Sequence, residues 1–343
     1  MTFSANGFDV EYGRNLLARL VVGLDSYVII HHPEPWALVE SSLDHPPAQQ
    51  FAAGDLSPRH LDRLVDDVKS LHERTPIDAV IGLGGGSAMD TAKWIGWRTG
   101  LPLYQVPSLP SVNACFTRMT ALRDAGGVRY EGDAIPNTVL VDFELFEAAP
   151  PELVRGGIGD VLSCHTARFD WQLGAAAGRD APWDETQAAM SLTYLDELES
   201  LAPALASGEE DGITRLMECH RDIGWRCHEL GHARFEEGSE HFFAYSFEEV
   251  TGRTIMHGEL VALGVLIMSA IQGNDPDRPR RIIDAAGMRS GLGELGVTWD
   301  EVEASLRRMP SFVEEQELWF SIANDLVVDD KLLAVARHAL RLA

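Results

Sequence analysis

Residues 81–97 read IGLGGGSAMDTAKWIGW, and the groups that could do chemistry follow the glycines directly: Ser87, Asp90 and Lys93. An apolar run that meets Gly84, Gly85, Gly86 and Ser87 and leaves as a helical pattern reads as a strand feeding a helix N-terminus. The first backbone N–H groups of a helix have no intrahelical acceptor and favour an anion. Without side chains, the backbone can lie against a pyrophosphate. The run is not the dinucleotide fingerprint GxGxxG, because Ser87 stands where the third glycine would be. Nor is it a Walker A loop, because no Gly-Lys-Ser/Thr follows. A tight turn with no ligand is the alternative reading of the glycines. Asp90 and Lys93 lie three apart and share a helix face. They are either a surface ion pair worth little, or Asp90 orients the turn while Lys93 points at a ligand phosphate or hydroxyl.

The elements that must position these groups alternate. SYVIIHH (26–32), QQFAAG (49–54), IDAVIGLGG (77–85), LPLYQVPS (101–108) and NTVLVDF (137–143) read as strands. The spacing of Leu61, Leu64, Val65, Val68 and Leu71 predicts a helix within 57–75, and 88–100 reads as a second helix ending in glycine. Strand–helix–strand alternation implies a parallel sheet with crossover helices. From about Pro150 the pattern changes to long amphipathic helices over 158–176, 184–206 and 258–272, without a convincing strand. The fold expected is an α/β nucleotide-binding domain over 1–150 and an all-α domain over 151–343, two domains being natural for 343 residues.

Bulk properties narrow the partners. A formal charge of −25 argues against nucleic acid and against an anionic membrane surface. No apolar stretch is long enough to span a bilayer, and the N-terminus lacks the pattern of a secretory signal. Four cysteines without a CxxC pair fit reduced thiols. A cytoplasmic protein is expected.

GGGSAMDTAK resembles the Gly-Gly-Gly-Ser-x-x-Asp-x-x-Lys segment of the superfamily of iron- or zinc-dependent alcohol dehydrogenases, glycerol dehydrogenase and dehydroquinate synthase. GDVLSCHTARFDW (159–171), GSEHFFAYSFE (238–248) and HGELVALG (257–264) resemble segments of the sn-glycerol-1-phosphate dehydrogenases within it. The resemblance implies a dehydroquinate synthase-like fold, an active site in the cleft, and a divalent metal held by Asp160, His241 and His257. One carboxylate and two imidazoles suit a three-ligand zinc site with an open position. His165, His220, His228 and His232 are rival histidines. The iron-type enzymes carry a third histidine four residues after the aspartate. Here that residue is Cys164, which places zinc ahead of Fe2+ or Ni2+ and leaves Cys164 as either a thiolate near the metal or a small buried thiol.

The implied reaction is hydride transfer between NAD or NADP and a small polyol or polyol phosphate, with Gly84, Gly85, Gly86, Ser87, Asp90, Ser108 and Glu34 at the cofactor. Asn113 stands where the family places a substrate-facing aspartate, and an amide cannot accept a proton as a base. Asn113 and Lys93 are the expected catalytic side chains. Arg118, Arg129 and the intervening Arg123 are either a phosphate site or a solvated face. Glu34 hints at NAD, whereas His31 and His32 would tolerate NADP. The competing readings are a dehydroquinate synthase-like cyclase that uses NAD transiently and a non-catalytic binding protein of the same fold. A homo-oligomer is expected.

Overall fold

The structure, a computed structural model, describes residues 7–110, 113–124 and 127–342. Two compact units are present. Among the described residues, one contains those from 7 through 154 together with His220–Glu229; the other contains Arg155–Cys219 and 230–342.

The first unit is built on a six-stranded sheet. Its strands are β1 (Val10–Gly13), β2 (Tyr27–His31), β3 (Gln49–Ala52), β4 (Ala79–Gly84), β5 (Leu103–Pro107) and β8 (Thr138–Asp142). The order is β1-β8-β5-β4-β2-β3, and every neighbouring pair is parallel. β4 is buried along its whole length, as its unbroken apolar text requires of a strand covered on both faces. The Pro58–Arg74 helix supplies Leu61, Leu64, Val65 and Val68 to a core shared with Val28, Ile30, Val80, Ala92 and Ile95. β6 (Thr120–Asp124) and β7 (Gly127–Glu131) form a separate antiparallel hairpin. Neither this hairpin nor β1 figures in the sequence expectation.

The strand order places a switch point beside β4. The Gly86–Thr99 helix leads β4 to β5 on one side, and the Pro33–Val39 helix leaves β2 towards β3 on the other. Connections that diverge from the carboxyl ends of adjacent strands open a crevice, which is where such sheets bind ligands. β2 ends at His31 and β4 ends at Gly84, so the glycine turn lies at that crevice.

The second unit is helical among the described residues. The pattern expected as one helix over 158–176 is two, Ile158–Leu162 and Cys164–Ala176, meeting at Ser163. The Ser163 hydroxyl donates to the Asp160 and Glu236 carbonyls. Ser239–Thr251 and His257–Gln272 follow, the latter buried continuously from Gly258 to Ser269. No helix among the described residues is long and apolar enough to cross a membrane.

Candidate metal centre and nucleotide turn

Asp160, His241 and His257 come together in the helical unit, with one ligand atom from each lying within 4.8 Å of the others. His257 Nε2 is 3.5 Å and His241 Nε2 is 4.0 Å from Asp160 Oδ1. Two ligands on one zinc, with bonds near 2.1 Å at a tetrahedral angle, would be about 3.4 Å apart, so the spacing suits a shared ion. Asp160 and His241 are buried, while the His257 side chain is 23% exposed and forms the open edge of the set. No rival residue joins the group among the described residues.

Three helices are drawn together by close backbone contacts. A β-carbon on Gly159 would lie 2.0 Å from the Gly258 carbonyl oxygen, so Asp160 and His257 are neighbours because the residues beside them touch backbone to backbone. A β-carbon on Gly264 would lie 2.5 Å from the Glu240 carbonyl oxygen, which seats the His257 helix against the His241 helix. Gly159, Gly258 and Gly264 are therefore packing surfaces that bring the metal residues into register.

Glu240, fully buried, orients His241. Its Oε1 accepts from His241 Nδ1 at 2.9 Å and from the Gly238 N–H at 2.6 Å, and its Oε2 accepts from Thr166 Oγ1 at 2.7 Å. A carboxylate on Nδ1 leaves the Nε2 lone pair facing Asp160, the usual arrangement behind a metal-bound imidazole. Burial disfavours charge on His241, yet the bond to Glu240 and the nearby Glu237 and Asp160 outweigh it and raise its pKa to about 10. The surroundings favour a cation. Burial, reinforced by Glu240, also raises Asp170 to about 6, although its carboxylate accepts from the Ser239 and Ile322 N–H groups. Two imidazole nitrogens and a carboxylate oxygen in an acidic, mostly buried setting fit a divalent metal.

Cys164 is fully buried, and burial together with Glu236, Glu240 and Cys219 raises its pKa, the setting of a small buried thiol; among the described residues it is not part of the group that converges with Asp160. His165 Nε2 pairs with the Asn274 carbonyl at 2.6 Å, His228 contacts Arg118, and His232 packs on Trp171.

The glycine turn is more crowded than the sequence suggests. Gly84 has φ +142°, and a β-carbon there would lie 2.3 Å from His32 Nδ1. At Gly84, then, the neighbour that excludes a side chain is an imidazole of this chain. Gly85 differs: its backbone is extended, and the nearest contact for a β-carbon is His32 Cε1 at 3.8 Å. Gly85 caps the helix whose first turn holds Gly86 and Ser87, a helix start of the kind whose N–H groups favour an anion. Ser108, buried at the end of β5, donates its N–H to the Gly84 carbonyl at 2.9 Å. Gly85→Val should fold with a melting temperature close to wild type while weakening nicotinamide nucleotide binding about tenfold or more, as read by fluorescence titration. Unchanged affinity would mean that no phosphate lies there.

Asp90 and Lys93 form an ion pair at 2.8 Å, but it is buried, not the surface pair that the shared face allows. Lys93 also donates to Thr117 Oγ1 at 2.7 Å and to the Met119 carbonyl, so its ammonium faces protein oxygens. Burial raises the pKa of Asp90, against the opposing pull of Lys93. Glu34 is exposed in the first turn of the Pro33–Val39 helix. Asn113 opens a short 3-10 turn ending at Phe116. Arg118 is engaged by Asp133 and Arg129 by Glu131.

The residues that sequence reasoning missed are the ones that hold others in place. Glu240 is adjacent to His241 in the chain, so the GSEH text carried a signal for it. Arg234, wholly buried, carries none.

The sequence profile of the iron-containing alcohol dehydrogenases matches residues 23–150. A glycerol-1-phosphate dehydrogenase [NAD(P)+] of Sulfurisphaera tokodaii is 30% identical over 241 residues, 69% of this chain and 67% of that one. One from Hyperthermus butylicus is 28% identical over 297 residues, 84% of this chain and 82% of the other. Among solved structures, a probable glycerol dehydrogenase from Sinorhizobium meliloti superposes with a TM-score of 0.70 at 21% identity, covering 98% of this chain and 100% of that one. Glycerol dehydrogenase from Schizosaccharomyces pombe gives 0.69 at 20%, over 99% and 93%. Similarity at that identity speaks for the fold, and the Sulfurisphaera relative for the family: the chain belongs to the glycerol-1-phosphate dehydrogenase family.

Proposed function

We propose that this protein is a metal-dependent dehydrogenase that moves hydride between NAD or NADP and a small polyol or polyol phosphate. The observation that carries this is the convergence of Asp160, His241 and His257, from three separate motifs, on one ion-sized space. When bound, a divalent ion would supply Lewis-acid polarisation of a substrate oxygen, and the nicotinamide would supply or take the hydride.

The chain's own residues do the rest. Asp160 and the two imidazoles hold the ion, and Glu240 keeps His241 in the tautomer that presents Nε2. The absence of a histidine at position 164 leaves one oxygen and two nitrogen donors, which supports zinc ahead of Fe2+ or Ni2+. Gly85, Gly86 and Ser87 receive the pyrophosphate at the helix start, backed by Ser108. The Asn113 amide donates to or accepts from the substrate without taking its proton. Lys93 positions the substrate loop by fixing Thr117 and Met119. Residues 1–150 serve as the nucleotide domain and 151–343 as the metal domain. The protein acts in the cytoplasm, which suits four cysteines that form no disulfide.

Chelation tests this directly. Dialysis against a strong zinc chelator should abolish turnover, and Zn2+ should restore more of it than Fe2+ or Ni2+. NADH or NADPH oxidation with dihydroxyacetone phosphate, and cofactor reduction with glycerol or glycerol phosphates, should give sustained absorbance change at 340 nm. A cyclase returns its cofactor unchanged and gives none, and a binding protein shows no metal-dependent turnover. Either result would overturn the assignment.

A further inference from the structure

The turn after β4 already has a side chain seated in it. His32 directly follows β2, and its ring reaches the carboxyl end of the neighbouring strand. Its Nδ1 accepts from the Gly85 N–H at 3.1 Å, and its Nε2 lies 3.0 Å from Ser87 Oγ. A backbone N–H can only donate, so Nδ1 carries the lone pair and Nε2 carries the proton, which it gives to Ser87 Oγ. Gly84 is glycine where any β-carbon would collide with this ring. One neutral imidazole thus ties together the cap and the first turn of the helix.

We propose that His32 is a positioning residue for the nicotinamide nucleotide, arming the turn when neutral and disordering it when protonated, so that dinucleotide affinity depends on pH. This rests on the reading of the turn as the pyrophosphate cradle. Protonation puts a proton on Nδ1, opposite the Gly85 N–H. Two donors then face each other, the ring must leave, and the Gly85–Ser87 conformation loses its brace. The position adds weight: ligands of doubly wound sheets lie outside the carboxyl ends of the strands at a switch point, and His32 follows the carboxyl end of β2, the strand beside β4.

The charges around the ring set where this happens. Burial is the largest influence and lowers the pKa of His32; Glu34, on the helix that follows, opposes it, and His31 on β2 adds to it. From β4 and the Gly86–Thr99 helix the ring meets Gly84, Gly85 and Ser87, none of which titrates. A lowered pKa keeps the imidazole neutral through neutrality. Affinity is then intact through the ordinary histidine range and falls only on its acid side.

Dissociation constants for NADH and NADPH, measured by fluorescence from about pH 8 to about pH 5, test the idea. Wild type should bind both more weakly towards the acid end, the loss growing as pH falls to at most about tenfold, the worth of one lost hydrogen-bonded arrangement. His32→Asn, whose Oδ1 accepts from Gly85 without titrating, should give a flat profile. His32→Leu should bind about tenfold more weakly than wild type already at the alkaline end. Parallel profiles for wild type and His32→Asn would overturn the proposal, as would tighter NADPH binding in acid, which would make the ring a charge reader for the 2′-phosphate. Circular dichroism at each pH separates local from global change, and if His32→Leu does not fold, the Asn profile decides alone. Gly85→Val distinguishes the two levels of failure. If it loses affinity while the His32 variants match wild type, only the role of His32 falls; if it too binds normally, the cradle itself is wrong.

Discussion

Asp160→Ala should retain no stoichiometric metal and should lose about a thousandfold or more in kcat/KM, since a Lewis acid supplies several kcal/mol of transition-state stabilisation. The reason is the geometry at one oxygen. Asp160 Oδ1 is the donor nearest both imidazoles, 3.5 Å from His257 Nε2 and 4.0 Å from His241 Nε2. Without it, two neutral ligands remain, one of them part exposed, and the anionic donor is gone. Glu240 is no substitute, because its oxygens are engaged by His241, Gly238 and Thr166. The fold should persist, because Gly159 against Gly258, not the carboxylate, sets the helix contact. Metal analysis beside a melting curve reads both halves of this expectation. His165→Ala, a change at a rival histidine bonded to Asn274, should keep its metal. Full occupancy in Asp160→Ala would mean that the ion, if any, is held elsewhere.

The parts of this protein legible in sequence are those whose signal is local. β2, β4, β5 and β8 are apolar runs bounded by turn residues, and the structure has each within two residues at either end. Asp160, His241 and His257 were found through surrounding text, and the structure brings all three together. β1 was missed because four residues, VEYG, with no fully buried member offer no periodicity to read. The β6–β7 hairpin was missed because its arginines drew the reading towards a phosphate, whereas Arg129 pairs with Glu131 two residues away. The burial of the Asp90–Lys93 pair was not legible for a different reason. A shared helix face implies a surface, but the Gly86–Thr99 helix is buried continuously from Ala88 to Gly96, so the pair had to be internal. The same text, GGGS, concealed His32, since nothing in a glycine's identity says which neighbour required it. Contacts between segments fifty residues apart are written in neither segment alone.

The largest effect on folding is expected from a residue outside both sites. The side chains of Arg234 and Asp180 are completely buried, and Arg234 Nε donates to Asp180 Oδ2 at 2.8 Å. Nη1 donates to the Glu237 carbonyl at 2.6 Å and Nη2 to the Phe320 carbonyl at 2.7 Å. One guanidinium therefore joins three stretches: the loop after the Cys164–Ala176 helix, the turn before the His241 helix, and the segment near Phe320. Arg234→Leu leaves a carboxylate and two carbonyls buried without their donor, and breaking such a pair costs about 3–5 kcal/mol. Denaturant unfolding should show a loss of that size, with a melting point lower by about 5 °C. Asp180→Leu in the same chain should recover part of it, because the stranded charge is then gone. The loss should also reach the metal: Glu237 precedes Gly238, whose N–H bonds Glu240, and Glu240 orients His241. Arg234→Leu should accordingly surrender its ion to a chelator faster than wild type under conditions where both remain folded. A stability change below about 1 kcal/mol, within the range of ordinary surface substitutions and their neighbours, would show that water or a shifted side chain satisfies Asp180 and that the guanidinium is not the anchor.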